Sequence, residues 1–389
     1  MIPVFVLDRP VSLKILEQLK DYKGKFGILA HAYTSDNFKK QFAAFSLTKF
    51  KIGDSGIYQK KNMSYKELFD EYKKMNVEYG IIKDFYRDPK KTFESAKLAK
   101  KVFEDGNYHF RLMGVAQGNT VAEYVRSYQQ QKDLGFEKVA VGGLLDKIEN
   151  HKRMVKVKSD VFLQNVLHAI KVINSKDDIF PLGVFNKKRI ELFERENIWA
   201  SDYKGWIFRY NIEQSHKNND RFEQTAKNIR ELFRFIDKKK DNVLKNNKPS
   251  KERLLILSCS MKKTENPGIA LKVYDGPSYH ILRNYLKIKR DIDIKIISAK
   301  YGLIDGHDKI LPYDYKMNKN DALIYKRIYS SEIDQIASMY KDVQFCGSKL
   351  YGSIIDDNYN ITRVDGKIGQ QLHQLKTWLY YSHPYMLEY

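Results

Sequence analysis

Gly53-Asp54-Ser55-Gly56-Ile57-Tyr58-Gln59 sets a carboxylate, a hydroxyl and a phenol among glycines, directly after the apolar-and-basic residues 50–52. The spacing predicts a strand ending in a tight turn, with polar side chains at its C-terminal end. In barrels of alternating strands and helices, that end is where chemistry takes place. Asp-Ser-Gly is also ordinary turn vocabulary, so the meaning of Asp54 depends on its partners. Four further expected strand ends carry candidates: Asp84 after 79–82, Gln117 after 110–116, Gly142-Gly143-Leu144 after 138–141, and Asp202 after 199–201. A carboxylate can attack a carbon or move a proton, and an amide offers a donor and an acceptor side by side.

The elements that must position these residues follow from pattern. Strands are expected over 4–7, 26–30, 50–52, 79–82, 110–116, 138–141, 179–184 and 199–201. Ser64 with Glu67 forms a capping-box signal for a helix whose Leu68, Phe69, Tyr72 and Met75 share one face. A helix runs from Pro89 to Glu104, and Asp105-Gly106 stops it. Thr120 and Glu123 open another helix, with Val121, Tyr124, Val125 and Tyr128 on one side; further helices are expected over 158–173, 187–196 and 222–236. Strand, polar end, helix, at intervals of about 30 residues, is a βα series and implies a parallel sheet. An open doubly wound sheet gives the same alternation, but it would gather its polar ends at one switch point. Polar ends spread over five strands favour a closed TIM-type (β/α)8 barrel over 1–237. A stretch dense in Lys and Asn, 238–253, reads as a linker. A smaller α/β domain follows over 254–389, with Ser258-Cys259-Ser260 and Lys262-Lys263 at the end of its first strand.

The chain has 389 residues, 42% of them hydrophobic and 13% aromatic, which supports real cores rather than disorder. Nothing approaches the roughly 20 apolar residues of a membrane span, and residues 1–9 lack the features of a signal peptide. Lys and Arg number 69 against 48 Asp and Glu, a net charge of +21. Such an excess points to a polyanionic partner, nucleic acid before a membrane surface, although a lysine-rich coding bias produces the same balance. Cys259 and Cys346, the only cysteines, are too few for a four-ligand zinc site and fit a reducing, cytoplasmic setting as small buried side chains. His31 has no metal-binding partner in the sequence and reads as structural.

Over about residues 25–210 the chain resembles the tRNA-guanine transglycosylase superfamily. The resemblance rests on Asp54-Ser55-Gly56-Ile57-Tyr58-Gln59, Gly114-Val115-Ala116-Gln117-Gly118, Val141-Gly142-Gly143-Leu144, Leu182-Gly183-Val184 and Asp202, each after an expected strand and in the family's order. It implies that Asp202 is a nucleophile attacking C1′ of a nucleoside and that Asp54 is the general acid/base. It further implies that Asp84 and Gln117, with the backbone of Gly143 and Leu144, read the base edge, that Ser55 positions Asp54 or the base, and that Tyr58 and Leu182 form apolar walls. That chemistry is coherent: an oxocarbenium-like centre can be trapped by one carboxylate while a second handles the proton, as in retaining glycosidases.

Three departures narrow the reading. No cysteine precedes Cys259, so the zinc site of the tRNA enzymes is absent and neither metal nor organic cofactor is expected. Tyr203-Lys204-Gly205-Trp206 replaces the family's Pro-Thr-Arg after the nucleophile, and the chain looks more like the DNA-acting, DpdA-type branch. Residues 252–380 resemble the YaaA-like peroxide-stress family through Tyr274-Asp275-Gly276, Ser298-Ala299-Lys300-Tyr301-Gly302-Leu303 and Pro312-Tyr313. The expected activity is therefore exchange of guanine in DNA for a free 7-deazaguanine base such as preQ0. The same exchange on tRNA and a non-catalytic nucleic-acid-binding barrel are the alternatives. Lys204, Lys262 and Lys263 are candidate nucleic-acid contacts, and helper proteins that open the duplex are candidate partners.

Overall fold

The computed structural model describes residues 1–56, 63–150, 153–156, 159–206, 218–239, 252–356 and 361–381. The chain divides into two compact units that are interleaved in sequence. The first comprises Met1–Asn119, Arg126–Leu144 and Asn174–Leu244; the second comprises Thr120–Val125, Leu145–Ile173 and Lys245–Tyr389.

The first unit is an eight-stranded, all-parallel and nearly closed barrel. Its strands are β1 (Ile2–Leu7), β2 (Gly27–His31), β3 (Lys51–Asp54), β4 (Tyr79–Ile81), β5 (Arg111–Ala116) and β6 (Lys138–Val141). A hairpin, β7 (Lys147–Asn150) with β8 (Arg153–Lys156), follows in the chain before the last two barrel strands, β9 (Ile179–Pro181) and β10 (Ala200–Tyr203). The strand order is β10-β1-β2-β3-β4-β5-β6-β9, every neighbouring pair parallel. Between β9 and β10 no backbone ladder forms, and Pro181 has no N–H to offer one. Side chains close this seam instead: Ser201 Oγ donates to the Pro181 carbonyl at 2.8 Å, and the Gly183 N–H donates to Asp202. Near-continuous apolar runs such as Val4-Phe5-Val6-Leu7 are buried throughout, as strands covered on both faces require.

The helices start where local chemistry lets them. α1 (Pro10–Glu17) has proline in its first turn, and Ser35 caps α2 (Asp36–Ala44) by accepting from Phe38 N–H. Both halves of the Ser64–Glu67 capping box are present at α3 (Tyr65–Lys74). Asp88 caps α4 (Pro89–Glu104), and Thr120 Oγ1 accepts from Glu123 N–H in the first turn of α5 (Val121–Asp133). Tyr72 of α3 lies flat across β3 and β4, a fit that needs glycine beneath it. A Cβ on Gly53 or Gly80 would come within 2.3 or 2.5 Å of its ring. After α6 (Val161–Ile173) and the short α7 (Ile190–Arg195), α8 (Asn218–Lys239) buries Ala226, Ile229, Leu232, Phe233 and Ile236, the face its periodicity predicts. α8 runs on through Lys239 and the next strand starts at Arg253, so 238–253 is shorter as a connection than expected; its centre, 240–251, lies outside the described residues.

The second unit holds a five-stranded sheet. Its strands are β11 (Arg253–Ser258), β13 (Ile292–Ser298), β14 (Gly302–Asp305), β16 (Asp342–Cys346) and β17 (Ile361–Arg363), and a small two-stranded sheet pairs β12 (Gly268–Ile269) with β15 (Lys309–Ile310). The order is β14-β13-β11-β16-β17, with only β14 antiparallel. Its helices are α9 (Ala270–Val273), α10 (Pro277–Leu286), α11 (Lys319–Ala337), α12 (Lys349–Gly352) and α13 (Ile368–Tyr381). α6 follows the sixth barrel strand in the chain yet belongs to this unit. There Asn165 Nδ2 donates to the carbonyls of Tyr301 and Leu303 at 2.6 and 2.9 Å, and Phe162 meets Tyr301 edge-on. No described helix is long and apolar enough to cross a membrane.

Candidate functional site

Seven barrel segments deliver polar groups at or just past their C-terminal ends: His31 on β2, Asp54 on β3, Asp84 beyond β4, Gln117 after β5, Gly142 and Gly143 after β6, Gly183 beyond β9, and Asp202 on β10. They form two groups.

The first group is built on Asp54. Parallel register places His31 directly opposite it, and His31 Nδ1 lies 3.0 Å from Asp54 Oδ2. The Gly56 N–H donates to Asp54 Oδ1 at 3.1 Å. Burial alone would raise the Asp54 carboxyl, but His31, the Gly56 amide and the charge of Lys204 outweigh it and hold the carboxyl below its ordinary range. Burial alone would lower the His31 ring. The Asp54 carboxylate, aided by the charge of Asp202 and opposed by Lys204, holds it above the ordinary imidazole value instead. His31 thus lies against the candidate acid/base, a placement that its sequence position does not reveal. Asp202 is 9% exposed and is oriented by the Gly183 N–H, while Gly183 takes a positive φ of 67° beside half-buried Leu182. Ser55 is 2% exposed, and its Oγ makes no hydrogen bond among the described residues. A buried hydroxyl without a partner next to Asp54 is a group left for something else to satisfy. Tyr58, the expected apolar wall, lies outside the described residues.

The second group is an amide–carboxylate pair. Gln117 Nε2 donates to Asp84 Oδ2 at 2.6 Å, with both residues buried. The Gln117 Oε1 accepts from the Arg87 N–H at 3.1 Å, and its backbone N–H donates to Ser127 Oγ at 3.1 Å. Each end of the amide thus spends one of its two hydrogen-bonding positions and keeps one. Arg87, with φ 53°, also donates from its guanidinium to the Gly143 carbonyl at 3.3 Å and accepts from Asn119 Nδ2 at 3.0 Å. Sequence reasoning passes over Arg87; its only signal is the Arg-Asp-Pro turn that follows Asp84. Gly143 takes φ 69° and Leu144 is buried.

Gly142 is what allows the pair to form. A Cβ there would lie 2.3 Å from Gln117 Nε2 and 3.4 Å from Asp84 Oδ2. Gly142→Ala is expected to push the amide off the carboxylate and destabilise the protein by about 1–3 kcal/mol, the usual cost of overpacking. The midpoint of urea unfolding checks this, and an unchanged midpoint would mean that the pair can shift without loss.

Lys204 is exposed, yet its charge reaches both Asp54 and His31. Lys262 and Lys263 belong to the second unit. Lys262 is 74% exposed and pairs with Asp275 at 3.2 Å, whereas Lys263 is half-buried. A cavity of about 420 Å³ opens beside Lys132, Lys138 and Asp178. It adjoins the starts of β6 and β9, the barrel end at which residues serve stability rather than chemistry. Among the described residues no group of three His, Cys, Asp or Glu could hold a metal ion. No curated protein matches the chain. Residues 254–377 are similar to DUF6884, a family of unknown function, and that likeness concerns the second unit alone.

Proposed function

We propose that the protein is a DNA-guanine transglycosylase, exchanging guanine in DNA for a free 7-deazaguanine base. The observation that supports this best is the pair of carboxylates, Asp54 and Asp202, that act on one histidine at the strand ends of a single barrel. In this reading the target nucleotide leaves the stack and the Asp202 carboxylate attacks C1′. The C1′–N9 bond breaks, and guanine departs with a proton. The covalent glycosyl–aspartate is then attacked by N9 of the incoming base, which gives up its proton, so the configuration at C1′ is retained. Gln117 and Asp84 read the base edge, and Ser55 Oγ finds a partner on the base or sugar. The basic chain, with Lys204 near the site, holds the phosphates.

The pKa directions refine the proton's route. Asp54 is ionised in the resting protein, so it is ready as a base and lacks a proton as an acid. The proton that guanine takes is stored on His31 Nδ1 and passes through Asp54 Oδ2; the proton from the incoming base returns along the same path. Asp54 lies below its ordinary 3.8, so the ion pair is in force above that value and is lost as pH falls through the depressed one. His31 lies above its ordinary 6.5, so its contribution is complete below 6.5 and is lost as pH rises through the raised value. Exchange is expected to be flat between these limits and to fall by one proton on the alkaline side. His31→Gln is expected to lower the rate about 10²-fold, the scale of a positioned proton donor, and to abolish that alkaline limb. A limb that persists in the variant places the proton elsewhere.

The test of the whole reading is release of labelled guanine from duplex DNA and from tRNA in the presence of excess preQ0. Release from DNA is expected. Release from tRNA alone overturns the DNA assignment, and release from neither leaves a barrel that binds nucleic acid without exchanging bases.

A further inference from the structure

The five-stranded sheet carries a second candidate site that does not depend on the barrel chemistry. Across the sheet its strands run third, second, first, fourth, fifth in chain order, so the chain leaves β11 toward β13 and returns to β16 on the other side. In sheets of this kind the reversal leaves a crevice outside the carboxyl ends of the first and fourth strands, and ligands bind there. β11 ends in Ser258-Cys259-Ser260 and β16 in Cys346-Gly347-Ser348. The two ends approach closely, for a Cβ on Gly347 would lie 2.8 Å from Ser258 Oγ. Cys259 Sγ lies 3.1 Å from the Tyr351 hydroxyl and accepts from the Ala299 N–H at 3.4 Å. Next to it three hydroxyls meet: Tyr274 donates to Ser298 Oγ at 2.8 Å, and the Tyr313 hydroxyl is 3.1 Å from the first and 3.0 Å from the second.

Lys263 stands among these groups. Its ammonium is 4.3 Å from the centre of the Tyr313 ring and 6.0 Å from that of Tyr274. Its one hydrogen bond among the described residues goes to the Met261 carbonyl at 3.2 Å, and no described carboxylate comes within ion-pair distance. Burial pushes the ammonium below its ordinary range, and the charges of Cys259 and Asp314 offset this only in part. Lys262 is the contrast: it is exposed and committed to Asp275, which Arg283 and His280 also hold at 2.8 and 3.2 Å. A half-buried cation that no described carboxylate pairs with, beside the half-buried Tyr313 hydroxyl, suits a compact anion with several acceptor oxygens. Tyr313 and Tyr351 add ring faces for a base.

We infer that the crevice at the ends of β11 and β16 binds the phosphate monoester of a nucleotide, with Lys263 as its counter-charge and the Tyr313 hydroxyl as a hydrogen-bond donor that the buried Tyr274 and Ser298 hold in place. The source is either a free mononucleotide or the terminal phosphate of a strand. Calorimetric titration of the full chain distinguishes them, using guanosine 5′-monophosphate and a short single strand with and without a 5′-phosphate. Binding of at least one phosphate monoester is expected, weakened at least 10-fold by Lys263→Met, restored by Lys263→Arg, and changed less than twofold by Lys262→Met. A second readout needs no variant. Burial pushes the Cys346 thiol up to about 11, against a smaller opposing effect of Ser278, so iodoacetamide at mildly alkaline pH reports on Cys259. Saturating ligand is expected to slow its alkylation several-fold. Equal binding of the strand with and without its 5′-phosphate together with no binding of guanosine 5′-monophosphate, an equal loss in the two lysine variants, or an unprotected Cys259 overturns the proposal. A failure here leaves guanine exchange at the barrel untouched.

Discussion

Asp202→Ala is expected to reduce base exchange by a factor on the order of 10³ or more, because it removes the atom that would hold the sugar between the departing and arriving bases. Asp202→Asn is the sharper variant. It preserves the shape of a side chain that is 9% exposed and can still accept the Gly183 N–H, but an amide oxygen is a poor nucleophile. Both variants are expected to lose rate alike, whereas a residue that only props up the seam between β9 and β10 would be spared in the Asn form. DNA affinity is expected to stay within about twofold, since phosphate contacts carry most of it. Two measurements separate chemistry from binding: single-turnover release of labelled guanine, and recovery of a covalent protein–DNA adduct on a denaturing gel when no incoming base is supplied. The adduct is expected with the unaltered protein and absent from both variants. An Asn variant that keeps a tenth of the rate, or still forms the adduct, moves the nucleophile to another residue.

How far this site is legible in the sequence depends on whether a residue's partner is local. The eight barrel strands are readable because buried parallel strands are short apolar runs, such as Val139-Ala140-Val141, punctuated by glycine or polar ends. The Ser64–Glu67 box and the Asp88-Pro89 start are local hydrogen-bond chemistry, and the structure forms both. α1 and α2 do not stand out, because eight or nine residues give too little periodicity, though Pro10 and Ser35 mark their starts. His31 fails for a different reason. Its partner comes from the register between two parallel strands, which hydrogen-bond pairing fixes and no spacing in the chain reveals. The Arg87 contacts rest on a positive φ that a non-glycine residue seldom adopts. The antiparallel β14 is hidden in the same way, because the chain reverses tightly after Ser298 into a new strand that starts at Gly302.

The largest stability effect is expected where the sequence gives no warning at all. Within the second unit, Asp146 and Lys300 are 6% and 7% exposed and their charged groups meet at 3.1 Å. The other Asp146 oxygen accepts from the Tyr301 hydroxyl at 2.9 Å, and that hydroxyl in turn accepts from the Leu311 N–H at 3.0 Å. Burial and the Asp146 charge both push the Tyr301 phenol upward, so it stays a donor. The Lys300 ammonium lies over the rings of Phe162 and Tyr301, 5.3 and 4.8 Å from their centres. Asp146→Ala takes the acid away from a buried ammonium, and breaking a buried pair from one side costs about 3–5 kcal/mol. Removing both charges is a different experiment. In Asp146→Leu combined with Lys300→Met no charge is stranded, and the loss is expected to be well below the sum of the two single changes. Tyr301→Phe, which removes one donor and leaves the ion pair, is expected to cost about 1 kcal/mol. Urea denaturation followed by a probe in the second unit ranks the three. If Asp146→Ala shifts the midpoint no more than Tyr301→Phe does, the Lys300 ammonium reaches water in solution, and this pair is not what fastens the segment after β6 within the second unit.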